Sequence, residues 1–171
     1  MTRTIRKLAL VSHIAVSVGW LGSVSVFLVL AITGLTSKDA PLVRASYLSS
    51  DLITRFVILP LCIAALTTGL IQSLGTAWGL FRNYWVIAKL TLTLVGTGLL
   101  LLHTRPIRYL AVVAAESNFD SAEHRRLQIQ LVADAAAAIV LLLVTIGLSV
   151  YKPRGLTPYG WRKQREERAG T

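Results

Sequence analysis

The chain has 171 residues, of which 54% are hydrophobic and only 15% charged, with a formal net charge of +10. That leaves room for one domain and is too apolar for a soluble one of this size. The basic residues flank apolar runs instead of lining one soluble face. They therefore read as topology signals and contacts for anionic lipid headgroups, and nucleic acid is excluded as a partner because almost nothing would remain outside the membrane to hold a duplex.

A spanning helix needs about 20 mostly apolar residues, because lipid offers no partner to an unpaired backbone group. Four stretches meet this requirement, at about 8–33, 52–74, 84–103 and 127–151. They predict an all-α fold: a transmembrane antiparallel four-helix bundle with short extracytoplasmic helices. The first span sits in the uncharged run between Lys7 and Lys38. Arg3, Arg6 and Lys7 ahead of it resemble the start of a secretory signal. The run is about twice as long as a signal core, and no Ala-x-Ala site follows it, so a retained span is expected. Asp39 and Pro41 then predict a helix start, with Leu42, Val43 and Tyr47 forming an apolar stripe that leads into span two.

Pro60 lies inside span two and should kink it by removing a backbone donor. Trp78, Phe81, Tyr84 and Trp85 surround the turn to span three, as an interfacial belt would, and Tyr151, Tyr159 and Trp161 do the same after span four. Span three carries only Lys89, close enough to its end to snorkel. From Arg105 to Ala115, basic and apolar residues alternate, predicting a short helix lying on the outer surface. Asp120 and Glu123 have capping-box spacing, so the fourth helix is expected to start near Ser121. Residues 152–171, with Pro153, Gly155 and Pro158, predict an extended, mobile basic tail. Alternate segments carry eleven Lys and Arg on the side of the termini and seven on the other. Both termini are therefore expected in the cytoplasm.

Helices in lipid approach where side chains are small. Ala15, Gly19 and Ser23 in span one and Ala65, Gly69 and Ser73 in span two have that spacing, and Gly96 and Ala137 offer it in spans three and four. The same pattern would also serve a dimer seam, so a homo-oligomer or a larger membrane complex stays open. The lipid bilayer itself is the partner expected in any case.

A polar residue inside a span is costly and often functional. His13 lies inside span one, with Ser17 and Trp20 on its face. It reads either as a ligand to haem or copper (or a proton carrier), or as a neutral histidine hydrogen-bonded to a neighbouring helix, Gln72 being at similar depth. His103 ends span three at the opposite side, too far from His13 to share one haem; it could meet His124 at the outer surface. Asp134 is the one acid well inside a span. It reads as an ion-pair partner of Arg55 or Arg105, or as a proton or cation site. Cys62, the single cysteine, rules out an internal disulfide and any cysteine metal cluster, and inside an apolar run it reads as a packing residue. No Ser-His-Asp set, His-Glu-x-x-His, P-loop or Gly-rich dinucleotide turn is present, which argues against a hydrolase or nucleotide-driven enzyme.

The runs Ser12-His13 through Gly19-Trp20-Leu21-Gly22, Gly69 through Trp85, and Leu102-His103-Thr104-Arg105-Pro106-Ile107 resemble a family of uncharacterised bacterial four-span integral membrane proteins, a domain of unknown function. The resemblance covers nearly the whole chain up to Gly155 and implies the bacterial inner membrane and a shared fold. His13 followed by Trp-x-Gly is also similar to the membrane domain of copper-resistance D proteins, which implies His13 as a copper or haem ligand. The one methionine, Met1, departs from the Met-rich clusters of copper handling. Two functions are thus expected. One is a non-enzymatic accessory or small transport module. The other is a membrane redox protein binding haem, quinone or copper through His13 or His103.

Overall fold

The computed structural model describes residues 2–75, 80–116, 122–153 and 155–169. Among the described residues there are six α-helices: α1 (Arg3–Thr36), α2 (Ala40–Ile53), α3 (Leu59–Gly75), α4 (Tyr84–Glu116), α5 (Ala122–Tyr151) and α6 (Pro158–Ala169). A π-helical turn, Thr54–Ile58, joins α2 to α3 into one rod. Among the described residues, four helices are long and apolar enough to cross a membrane: Arg3–Thr36, Ala40–Gly75, Tyr84–Glu116 and His124–Tyr151. They close into a ring in which α1 packs on the α2–α3 rod and on α5, while α4 packs on that same rod and on α5. Sequence neighbours are thus spatial neighbours, as in an up-and-down bundle.

The helices outrun the bilayer. α1 has 34 residues and α4 has 33. At 1.5 Å per residue each is about 50 Å long, against about 30 Å of hydrocarbon. Charge places the excess at one end, where Lys38, Arg44, Asp51, Arg55, Arg105, Arg108 and Arg125 lie. The core gathers there too. Ala31 and Gly34 of α1, Tyr47 of α2, and Ile107, Leu110 and Ala114 of α4 are buried. By contrast Leu8, Val11, Leu94, Leu102 and Val150 are exposed on the outside of the rods. Water drives apolar burial only where the helices leave lipid; within it, an outward leucine is already in a favourable solvent.

Local chemistry makes the rods possible. Ser46, Ser50 and Thr54 are buried, and each hydroxyl donates to the carbonyl four residues back, at 2.7–2.8 Å. That satisfies the polar atoms within their own helix. Asp39 sits at the N-cap position of α2 with Pro41 in the first turn, as expected, although its side chain makes no capping hydrogen bond. The Pro60 disturbance takes the form of the π turn just before it, in which the Leu59 N–H reaches back five residues to the Thr54 carbonyl.

Three expectations change. First, the separate surface helix expected over residues 105–115 is the continuation of α4, with Pro106 inside it. Ile107, Leu110, Ala111 and Ala114 are buried there, so this segment stands upright and packs instead of lying flat on lipid. Secondly, the tail is not extended. Thr157 caps α6 by accepting the Gly160 N–H at 3.0 Å, and Pro158 takes the first helical position. The same hydroxyl donates to the Phe81 carbonyl at 2.6 Å, and the Thr157 N–H donates to the Arg82 carbonyl at 3.1 Å. Arg82 forks onto Glu167 at 2.7 and 3.1 Å, clasping α6 against the turn that precedes α4. Thirdly, the rod Ala40–Gly75 begins far ahead of residue 52, merging the expected loop helix with span two. The Asp120–Glu123 capping box and Trp78 lie outside the described residues.

Candidate functional site

The polar groups inside the bundle form two separate centres. The first lies between α1 and α3. Thr68 commits its hydroxyl hydrogen to the Ala64 carbonyl at 2.7 Å, so it accepts from His13 Nδ1 at 2.9 Å. This fixes the His13 tautomer with its proton on Nδ1. Gly69 provides the room, since a Cβ there would come within 3.2 Å of His13 Cε1. Gln72, expected as the partner of His13, instead donates to the Ala9 carbonyl of α1 at 2.9 Å. His13 thus makes an interhelical hydrogen bond, to Thr68 of α3.

The second centre joins α4 to α5. His103 Nδ1–H donates to the Leu99 carbonyl one turn back at 2.7 Å, which orients the ring. Its Nε2 then faces Asp134 Oδ2 at 2.9 Å and the Gln130 amide nitrogen at 3.1 Å. Gln130 and Asp134 are four residues apart, hence on one face of α5. The Asp134 contact is short but misaligned: Oδ2 is buried and makes no hydrogen bond. With Nδ1–H committed, a neutral His103 uses Nε2 to accept from the Gln130 amide and leaves Oδ2 without a donor; a charged His103 turns Nε2 into a donor for Asp134. Arg55, expected as the Asp134 partner, pairs with Asp51 on its own helix at 2.8 Å, and Arg105 is exposed. His124 contacts the Tyr109 hydroxyl at 3.1 Å, while His103 faces Asp134 and Gln130.

Depth explains why the sequence did not reveal the His103–Asp134 contact. With α4 ending at His103, that residue would sit at the surface and Asp134 would sit below it. Because α4 runs on to Glu116, His103 lies thirteen residues before the end of α4 and Asp134 twelve after the start of α5. In an antiparallel hairpin those positions are level.

Above all, Asp134 and His103 line a cavity of about 140 Å³ in the middle of the ring. Trp20 and Phe27 of α1, Ile58 of the π turn and Leu142 of α5 supply much of the rest of its wall. Trp20 is 5% exposed, and its Nε1 is buried with no hydrogen-bond partner among the described residues. The interior therefore holds an indole N–H without an acceptor and a carboxylate oxygen without a hydrogen bond. Leu99 and Ala137 both line the cavity and are exposed on the outside of the bundle, and Gly96 also lines it. The side of the cavity formed by α4 and α5 is thus the side that also meets the outer surface. Sequence reasoning missed Trp20 as a site residue; the Trp-x-Gly signature carried it, but only burial shows that its N–H is unmatched.

A second concavity of about 680 Å³ opens at the projecting end of the bundle, with Lys38, Arg44 and Arg125 among its lining. Cations gathered so require water, which agrees with this end standing clear of the hydrocarbon. Cys62 is fully buried, with its Sγ 3.1 Å from the Thr97 hydroxyl, in keeping with a packing role. Among the described residues, no three His, Cys, Asp or Glu side chains converge as metal ligands would. Compared with models of protein families, with curated proteins and with solved structures, the chain matches none.

Proposed function

We propose that the protein is a non-enzymatic membrane module that takes a small, largely apolar molecule from the lipid phase and holds it between its four spans, serving as a small transport unit or an accessory subunit of a membrane complex. One observation carries this reading: a central cavity of about 140 Å³, walled mainly by apolar side chains, whose lining on α4 and α5 includes the outwardly exposed Leu99 and Ala137. A soluble ligand would need a route through the packed, projecting end of the bundle; a lipid-dissolved one meets only the α4–α5 wall. The membrane we assign is the bacterial inner membrane with both termini in the cytoplasm, supported by the excess of Lys and Arg on the side of the termini.

A redox role through haem or copper has less support. The cavity is well under the roughly 300 Å³ at which drug-sized ligand pockets begin, so a macrocycle does not fit. Both His103 nitrogens are engaged, and His13 stands outside the cavity wall.

The reading is tested by thermal unfolding in detergent with toluene as the probe. A ligand that binds only the folded state raises the midpoint, by about 1.4 kcal/mol of stability at tenfold over its dissociation constant. The parent protein should gain, and Ala138→Leu, which fills the cavity from α5, should not. No gain in the parent, or an equal gain in both, would overturn the proposal.

A further inference from the structure

At the projecting end of the bundle, three sides of one open space carry a cation. The concavity of about 680 Å³ is lined by Lys38 of the α1–α2 link, by Arg44 of α2 and by Arg125 of α5. All three are exposed, and among the described residues none makes an ion pair or a side-chain hydrogen bond. Arg55, at the same end, does have a carboxylate partner in Asp51. Asp39 and Glu116, acids close in sequence to the walls, do not line the space. Its positive charge is therefore left for something other than this chain to balance.

Gln128 is a second and independent sign. It follows Arg125 by three residues, hence on the same face of α5, and it lines the same space. The residue is 8% exposed, and among the described residues its side-chain amide has no hydrogen-bond partner. Unlike Trp20 Nε1, this amide is not sealed by its neighbours, so the little surface it keeps opens into the concavity. A buried amide without a partner carries a cost that a guest with acceptor oxygens offsets. The start of α2 adds to the positive potential: Ala40, its first residue, lines the space, and Asp39 makes no capping bond to the first turn.

Guanidinium and ammonium donors with an amide beside them suit the oxygens of a phosphate. Leu35, Val43 and Leu48 line the remainder, an apolar surface for an organic part. The volume lies within the roughly 300–1,000 Å³ of small-molecule sites, so a guest that fills it reaches all three cationic sides.

We infer that this concavity binds a phosphate ester, its phosphate drawn to Lys38, Arg44 and Arg125 and hydrogen-bonded by Gln128, its organic part lying against Leu35, Val43 and Leu48. The site is separate from the cavity between the spans and does not depend on what that cavity holds. A soluble phosphomonoester and the headgroup of a phospholipid carry the same chemistry, and experiment separates them.

The probe is phenyl phosphate, titrated by calorimetry into the full-length protein in phosphatidylcholine nanodiscs at low salt, with benzyl alcohol as the uncharged ligand of similar size. Phenyl phosphate should bind at least about tenfold tighter than benzyl alcohol, the worth of one hydrogen bond between charged groups. Arg44→Gln and Arg125→Gln should each lower its affinity about tenfold, and Gln128→Leu about fivefold. Arg44 and Arg125 are exposed, so both variants should keep the parent's circular dichroism. Arg108→Gln removes an exposed cation that does not line the space and should leave the affinity unchanged. Displacement of phenyl phosphate by dihexanoyl phosphatidylglycerol, kept below its micellar concentration, would identify a lipid headgroup as the natural source. Binding without displacement would identify a soluble ester, and either result supports the inference. No binding of phenyl phosphate, or binding indifferent to Arg44→Gln and Arg125→Gln, would overturn it. So would an equal loss in Arg108→Gln, which would show diffuse surface charge and no site. None of these results bears on the binding of toluene between the spans.

Discussion

Gly34 faces the ring of Tyr47, and the contact sets a sharp requirement. A Cβ at Gly34 would lie 2.6 Å from Tyr47 Cζ, 2.7 Å from Cε2 and 2.9 Å from the hydroxyl oxygen. Carbon atoms normally approach to about 3.5 Å, so the ring would have to yield by about 1 Å. Tyr47 is 1% exposed and has no space to do so. Overpacking of this kind costs about 1–3 kcal/mol. Replacing glycine by alanine in a helix returns up to about 1 kcal/mol of propensity, so Gly34→Ala should destabilise the protein by about 1 kcal/mol net. In a Tyr47→Leu background the clash is gone and only the propensity gain remains, so the same substitution should become stabilising. The coupling between the two positions is then about 2 kcal/mol. Thermal unfolding of the four proteins in one detergent, followed by circular dichroism, measures it. Equal effects of Gly34→Ala in both backgrounds would refute the packing argument for the projecting end of the bundle.

Three further outcomes follow from the structure. His103→Leu removes the imidazole that lies 2.9 Å from Asp134 and, with that carboxylate 41% exposed, should lower stability by about 1 kcal/mol, whereas His103→Leu with Asp134→Leu should recover most of the loss; identical stabilities would deny the pair any energetic role. Gly160→Ala places a methyl against the Arg82 carbonyl and should undock α6, read as faster trypsin cleavage at Lys163 and Arg165. Unchanged cleavage would show that the tail does not dock there. The clasp should also respond to acid in one direction only. The hydrogen bonds from Arg82, and then its charge, hold the Glu167 carboxyl below the usual carboxylate range. A depressed carboxylate contributes stability that is present above its unfolded value of about 4.3 and lost as pH falls through the lower folded value. Undocking of the tail, read from the fluorescence of a dye attached to α6, should therefore stay flat through neutral and mildly acidic pH and rise only below about pH 4. In Glu167→Gln that acid dependence should vanish, with a tail more open at neutral pH.

The four spans were legible because the bilayer reduces their recognition to length and charge: the long apolar runs around Trp20, Ala65, Gly96 and Val140 each reach the required length with at most one charged residue inside. What resisted was everything decided outside the hydrocarbon. Residues 105–115 alternate like a surface helix, yet Leu110 and Ala114 find a partner in α2, a tertiary fact without a local signature. α6 was a different kind of miss. Thr157-Pro158 is a helix start by capping chemistry, and the charge and the prolines of the tail drew attention from it. The site was half visible: His103 and Asp134 each stood out as polar groups in apolar runs, but their contact depended on where α4 ends. Trp20 was visible as an aromatic residue in span one and invisible as an unmatched donor, since only the packing around it removes its water.

The most direct test of a lipid-accessible cavity is a crystal structure grown in a lipidic mesophase and soaked with 4-bromotoluene, with the bromine located by its anomalous signal. The account predicts bromine density inside the ring of helices, within contact of Phe27 and Leu142 and reached past Gly96 and Ala137. Bromine found only on the outer, lipid-facing surfaces, with Trp20 and Asp134 closed against each other, would contradict it.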